Sequence, residues 1–369
     1  MFEPVENLEL IKIGVFGVGG AGCNAVNHMI QAGLHGVDFY AVNTDLQALH
    51  MNLSENKIQI GAQLTGGTGS GGKPETGKKA CEETLPLLRE ILTGYDMVFI
   101  ATGEGGGTGT GASPLIAETA REQGSLVVAI VSKPFDFEGR ARVLRALDGI
   151  EELRPRCDTL IVIPNQKLLE IYPKEPFFEA FRLADDVLHN AVKGISDLVT
   201  TPQLVNIDFA DVRDVMQEKG AALMGMGLAS GADRAKEAAS KAICSPLIDD
   251  ITIDTAHRVL LNVTGDARLS LPEIREAAMM IQEATRHQAD IRFGASSDQA
   301  MNDAVRVTVI ATGIEEPFPK IGDIKELATI TNTFTDRRRK QLLAGQSGSG
   351  DVIDKSNLEI PAFLRRQID

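Results

Sequence analysis

Two glycine-rich runs are the first places where residue type and spacing could do chemistry. Gly17-Val18-Gly19-Gly20-Ala21-Gly22 satisfies G-x-G-x-x-G between a strand-like run and a helical period. Glycines in that setting let the backbone approach a phosphate while N–H groups and the positive end of the following helix face it. The second run, Gly105-Gly106-Gly107-Thr108-Gly109-Thr110-Gly111, follows an apolar stretch ending at Ala101 and precedes a helical pattern from about Ala112. It too offers N–H groups at a helix N-terminus, and two such loops on one sheet can wrap a single chain of phosphates from both sides. Asp45 follows Gly22 by about 23 residues, near the place where a dinucleotide fold sets its ribose-binding acid. The first loop alone would therefore suit an NAD-dependent dehydrogenase. Such a fold has no need of the second loop with its threonine hydroxyls.

Two further stretches need weighing. Gly67-Thr68-Gly69-Ser70-Gly71-Gly72-Lys73-Pro74 fits G-x-x-x-x-G-K but ends in proline where a P-loop has Ser or Thr. The hydroxyl for Mg²⁺ is missing, so this reads as another loop near the phosphates. In Asn206-Ile207-Asp208-Phe209-Ala210-Asp211-Val212-Arg213, Asp208 and Asp211 are three apart and share a face if the segment is helical. Paired carboxylates of that kind can orient a water; as plain structure, one would be a helix N-cap and the other a solvated partner. Their distance along the chain from the phosphate loops suggests a head-to-tail arrangement, one subunit's acids reaching its neighbour's ligand.

The elements that must hold these residues are legible as periods. Leu10–Phe16, Val37–Val42, Met97–Ala101, Leu126–Val131 and Leu160–Ile163 read as strands, separated by helical patterns over 75–92, 112–123 and 138–154. Strand and helix alternate, which predicts a parallel sheet with helices on both faces. Phe177, Phe181, Ala184, Leu188, Ala191, Ile195 and Leu198 then lay one apolar stripe along a helix of about 22 residues, roughly 33 Å long. A coiled-coil seam is the alternative; phenylalanines and alanines in the stripe favour a buried helix that buttresses two domains. Strand patterns at 221–228, 258–264, 291–294 and 305–311, with helices near 232–242 and 271–286, describe a smaller α+β unit. Beyond Glu316 come a basic cluster, a Gly/Ser linker and the apolar, basic-tipped Leu358-Glu359-Ile360-Pro361-Ala362-Phe363-Leu364-Arg365-Arg366, which reads as a docking peptide on a tether.

Composition narrows the class. Among 369 residues, 37 Lys and Arg against 51 Asp and Glu give a net charge of −14. So acidic a chain does not bind nucleic acid or anionic lipid generically, and any polyanion must be held locally by backbone N–H groups, a few cations or a metal. No apolar run reaches the ~18 residues of a membrane span. The acidic N-terminus lacks the order of a signal peptide, which predicts a cytoplasmic location. Four scattered cysteines form neither a disulfide framework nor a zinc set, and neither H-E-x-x-H nor G-x-S-x-G occurs.

The glycine run 105–111, the acid loop 206–213 and the peptide 358–366, in that succession, resemble the FtsZ family, the bacterial tubulin-like GTPases of cell division. The resemblance runs over nearly all of residues 10–316. It implies an α/β tubulin/FtsZ-like fold: an N-terminal tail (1–9), a Rossmann-like parallel-sheet GTP-binding domain (10–176), a central helix (177–200), a C-terminal activation domain (201–316), a linker (317–356) and a docking peptide (357–369). It implies GTP hydrolysis coupled to head-to-tail self-assembly, with Mg²⁺ neutralising the leaving phosphate, at the mid-cell division site beneath the inner membrane. Carried over by motif, Gly19, Gly20, Ala21, Gly22 and Asn24 contact the nucleotide from the first loop, with Asn43 and Asp45 in the same set. Gly106, Gly107, Thr108, Gly109 and Thr110 hold the phosphates from the other side. Glu138 and Arg142 match ribose and phosphate-side contacts, and Asn165, Phe181 and Asp185 the guanine-recognition set. Asp208 and Asp211 would polarise the attacking water across the subunit interface, with Asn206 supporting their loop; no metal ligands are assigned. Leu358–Arg366 would dock on membrane-tethering adaptors. Four residues depart from the family pattern: Glu104 stands where an uncharged residue such as Met is usual, Lys73 where Asn is common, and Ser70 and Gly72 where alanines are. The added lysine is expected to offset the added glutamate. A non-hydrolysing nucleotide scaffold is a third class, distinguished by assembly without phosphate release.

Overall fold

The computed structural model describes residues 11–171, 176–200, 207–218, 220–244 and 253–314. Strand β1 (Ile13–Val18) leads straight into helix α1 (Gly19–Gln31), followed by β2 (Asp38–Asn43), α2 (Leu46–Met51), β3 (Asn56–Gln59), α3 (Ala62–Thr65) and α4 (Pro74–Leu92). Then come β4 (Met97–Gly103), α5 (Thr108–Glu122), β5 (Leu126–Lys133), α6 (Arg140–Leu153), β6 (Thr159–Pro164), α7 (Asn165–Ile171) and α8 (Phe177–Thr200). The remainder is α9 (Phe209–Met216), β7 (Ala221–Ser230), α10 (Arg234–Ile243), β8 (Arg258–Gly265), α11 (Leu271–Ala284), β9 (Asp290–Ser297) and β10 (Ala304–Ile314).

The strands lie in the order β3-β2-β1-β4-β5-β6-β7-β10-β8-β9. β1 to β6 are parallel throughout, and β7, β10 and β8 are antiparallel neighbours. β6 meets β7 through the single register pair Ile161↔Ala222, so the expected second unit continues the first sheet. Alternate residues of the central strands feed opposite layers. Val15, Phe99 and Val128 pack with α1 and α8, whereas Phe16, Ile100 and Val127 pack with α4 and α5. Both faces are covered, which is why β1, β4 and β5 are apolar nearly end to end. The first six strands follow the order 3-2-1-4-5-6, whose direction reverses between β1 and β4; ligands of such sheets bind at that switch point, beyond the strand C-termini.

α8 runs to Thr200, and Ala184, Leu188, Ala191, Ile195 and Leu198 are buried as the stripe predicts. Phe181 leaves that stripe. Its ring is 37% exposed and packs edge-on against Phe135, with centroids 5.2 Å apart, because the neighbouring Ala180 takes the inward position. The same helix contributes to a core that includes Met224, Leu260 and Ile310, which is a buttress and not a dimer seam. β3 has no counterpart in the sequence reading, since Asn56-Lys57-Ile58-Gln59 buries one apolar side chain and carries little strand propensity.

α5 begins at Thr108 and not near Ala112, so the second half of the glycine run is helical. Glycine is required there by close packing: a Cβ on Gly111 would lie 2.0 Å from the Pro74 carbonyl oxygen, and one on Gly77 2.2 Å from that of Gly107. The first run follows the same logic. A Cβ on Gly22 would lie 2.2 Å from the Ala101 carbonyl oxygen, while one on Gly20 would meet nothing within 4 Å. Gly22→Ala should therefore destabilise the fold by about 1–3 kcal/mol or more, the range for forced overpacking, and Gly20→Ala should leave the melting temperature nearly unchanged. Thermal unfolding of the two variants checks this; equal losses would remove the distinction.

Candidate functional site

The two glycine loops meet at the switch point. Gly19, at φ +73°, opens α1, and a Cβ on it would stand 2.8 Å from the backbone nitrogen of Gly109 in the first turn of α5. Two helix N-termini, each with unsatisfied N–H groups, thus converge on one place. Gly20, Ala21 and Asn24 are exposed there and Gly106 half-buried, whereas Gly19, Gly22, Gly107, Thr108, Gly109 and Thr110 are buried. The threonine hydroxyls are engaged within the protein. Thr108 Oγ1 lies 2.6 Å from Thr44 Oγ1 and 3.0 Å from Ser70 Oγ, and Thr110 Oγ1 accepts the Gly105 N–H at 2.8 Å. They knit β2, the third loop and the second loop together. The loop 67–74 lies directly behind the second: a Cβ on Gly107 would be 2.3 Å from Ser70 Oγ, and Pro74 opens α4.

Beside the loops is a pocket lined by Ala21 and Asn24 of α1, Gly103 and Glu104 after β4, Ser132 and Pro134 after β5, Glu138, Arg142, Asn165, and Phe181, Ala184 and Asp185 of α8. Residues from all along the first half of the chain are brought to it by the parallel strands, whose C-terminal ends share one edge of the sheet. Arg142 pairs with Glu138 at 3.0 Å, and Glu138 also accepts the Phe135 N–H at 2.9 Å, so the carboxylate is fixed by the turn that precedes α6. Asn165 is buried with Oδ1 lacking a partner. Burial, and secondarily the charge of Asp186, pushes the Asp185 carboxyl up to about 7. An orphaned amide oxygen and a carboxylate in a desolvated pocket are two acceptors facing a space where a planar base with adjacent N–H donors fits, and Phe181 offers a ring edge or face to it.

Asn43 and Asp45 do not line this pocket. Asn43 Oδ1 accepts the Thr44 and Asp45 N–H groups, and Asp45 caps α2 by accepting from Gln47 and Ala48. These bonds shape the β2–α2 turn. Asp208 likewise caps α9, its Oδ1 accepting the Asp211 N–H at 2.7 Å. Asp211 stands in the first turn of α9, 37% exposed, with Arg292 of β9 3.5 Å away. The sequence offered no sign of Arg292, because it belongs to a different strand and no motif includes it. Asn206 and the peptide Leu358–Arg366 lie outside the described residues.

Glu104 lines the pocket at the end of β4 but is buried rather than open to it. Its side chain is buried against α6, where a Cβ on Gly149 would meet Oε2 at 2.4 Å, and neither oxygen has a hydrogen-bond partner. Lys73 is exposed at the start of α4 and forms no ion pair with Glu104 among the described residues. Burial pushes the Glu104 carboxyl up to about 7, the nearby Thr110 hydroxyl working in the opposite direction without reaching bonding geometry.

The tubulin/FtsZ family GTPase-domain model matches residues 12–173, and the FtsZ family C-terminal-domain model matches residues 220–315. The chain belongs to the tubulin/FtsZ family. It is 45% identical to the cell division protein FtsZ of Wigglesworthia glossinidia brevipalpis over 386 positions, covering 100% of both. It matches the empty FtsZ dimer of M. jannaschii with a TM-score of 0.79 at 44% identity, over 82% of this chain and 88% of that one. The GTPγS-bound protofilament structure of CetZ2 from Haloferax volcanii has a TM-score of 0.70 at 19% identity, over 88% of this chain and 99% of that one, which shows a common fold. As an FtsZ-family GTPase the chain is no dehydrogenase: in place of a lone dinucleotide loop it has two interlocked ones.

Glu104 has a pH signature. Its folded pKa of about 7 exceeds its ordinary 4.5, so its favourable contribution is complete below the unfolded value and is lost as pH rises through about 7. Relative to Glu104→Gln, the parent should lose roughly 3 kcal/mol of stability between pH 4.5 and 8. Denaturant unfolding across that range measures it, and parallel pH profiles for the two proteins would refute it.

Proposed function

We propose that this chain binds GTP in the pocket at the β1/β4 switch point, assembles head to tail, and hydrolyses the nucleotide with acids supplied by the next subunit, as a scaffold of bacterial division. The observation that carries the reading is the contact of the two helix N-termini beside a pocket with unmatched acceptors. Backbone N–H groups of Gly20, Ala21 and Gly106 hold the phosphates, which explains how so acidic a chain retains a polyanion. Asn165 and Asp185 accept from the guanine N1–H and N2–H₂ donors, Phe181 covers the base, and Glu138 and Arg142 meet the ribose and its phosphate side. Guanine binding favours the ionised form of Asp185 by giving it the donors that burial withholds.

Mg²⁺ fits as an ion carried by the nucleotide. No group of three or more His, Cys, Asp or Glu residues able to cage a metal occurs among the described residues, and Mg²⁺ commonly binds through phosphates and waters with few protein ligands. When bound it supplies charge neutralisation at the phosphates. The protein's part in hydrolysis is to orient water: Asp211 accepts a hydrogen bond from the water facing the neighbour's γ-phosphate, while Asp208 holds the first turn of α9 in place. Self-association follows from this division of the site between two surfaces of one chain. No helix among the described residues is long and apolar enough to cross a membrane; attachment to the division site would run through adaptors that dock on Leu358–Arg366.

Asp211→Ala is expected to bind GTP and form sedimentable filaments while phosphate release falls at least a hundredfold; loss of GTP binding by the isolated subunit would contradict an interface role. Removing residues 358–369 should leave phosphate release unchanged and abolish co-sedimentation with the adaptor, and undiminished adaptor binding would place docking elsewhere.

A further inference from the structure

We infer that Arg292 is a positioning residue for hydrolysis, aiming the Asp211 carboxylate at the neighbouring subunit's nucleotide. The inference rests on the reading of Asp211 just given. Within the acid pair only Asp211 has its carboxylate outside the helix cap, since Asp208 Oδ1 is bound to the Asp211 N–H at 2.7 Å. A carboxylate in the first turn of a helix is drawn back toward its own unsatisfied N–H groups. Something must pull it outward if it is to meet a water on another molecule.

Arg292 is placed to do so. It lies on β9, the edge strand, opposite Leu260 of β8, and its guanidinium spans two acids: Nη1 is 3.5 Å from Asp211 Oδ1 and Nη2 is 3.1 Å from Asp290 Oδ2. Its Nε is buried with no acceptor, so the inner end of the fork is wedged against protein while the outer end reaches Asp211. A planar fork held at Asp290 fixes direction in a way that a flexible ammonium does not. The other charges around α9 are committed elsewhere: Arg258 pairs with Asp214 and, at 2.8 Å, with Glu218, while Arg213 stacks over Phe209.

The pair's own geometry separates this from a structural role. Arg292 and Asp211 are 41% and 37% exposed, and exposed ion pairs add little to folding. Removing the arginine should therefore change the rate and not the fold. Arg292→Ala is expected to keep its melting temperature, bind GTP within twofold of the parent and assemble at a critical concentration within twofold, while turnover per assembled subunit falls about tenfold. Arg292→Lys should recover part of that loss, being able to reach one acid but not to bridge two. Arg292→Gln serves as a second loss variant if the alanine protein does not fold. Turnover equal to or above the parent's in the assembled loss variant overturns the inference, as does a raised critical concentration with unchanged turnover, which would make Arg292 an assembly contact. Asp211→Ala is run beside them: if it hydrolyses GTP normally, the underlying reading of Asp211 fails, whereas if it is inactive and Arg292→Ala is fully active, only the role of Arg292 fails.

Discussion

Two helix N-termini held in contact at the reversal point of a parallel sheet are the constraint on which the rest of the molecule depends. Such termini repel one another, since each carries partial positive charge and unsatisfied N–H groups. Their approach at Gly19 and Gly109 is permitted because neither residue has a side chain, and it is enforced from behind. Gly111 and Gly77 let α4 and α5 close on each other, while Thr44, Ser70 and Thr108 join the loops by hydroxyl contacts. An anion is the natural complement of that arrangement. An overall charge of −14 is no obstacle to phosphate binding when the attraction comes from backbone dipoles aimed at one point.

α8 is the second organising element. Near its N-terminal end Phe181, Ala184 and Asp185 line the pocket, and further along Leu188, Ala191 and Ile195 enter a core shared with α1, β7, β8 and β10. Ile207, Val212 and Val215, around the start and body of α9, belong to the same core. The pocket wall formed by α8 and the segment bearing Asp208 and Asp211 are therefore packed on one apolar layer, so displacement of α8 at one end is felt by close-packed neighbours at the other. This provides a physical route by which occupancy of the pocket and presentation of the acids could be linked within a subunit.

Glu104 shows how a carboxylate beside a phosphate-type loop is accommodated. A carboxylate turned toward a bound anion would oppose binding; here Oε2 packs against Gly149 of α6. The cost is a buried, unpartnered acid whose pKa rises to about 7, a cost set by desolvation. Lys73, exposed at the mouth of α4, does not relieve it.

The apolar runs of β1, β4, β5 and β6, the stripe of α8 and the two glycine runs were legible in the sequence because each is a local pattern: a period, a run or a spacing read within one element. The order of the first six strands was not legible there; the structure supplies it, and the glycine runs fall where that order reverses. β3 escaped notice because its four residues carry only one buried apolar side chain. Tertiary structure alone decided the rest. It turned Thr108 and Thr110 inward, exchanged Phe181 for Ala180 on the buried face of α8, gave Asp45 to the cap of α2, sent Glu104 against Gly149 and set Arg292 beside Asp211. Each of those outcomes depends on which residue from a distant part of the chain occupies the adjoining space, and close packing, unlike periodicity, is not written in any one segment.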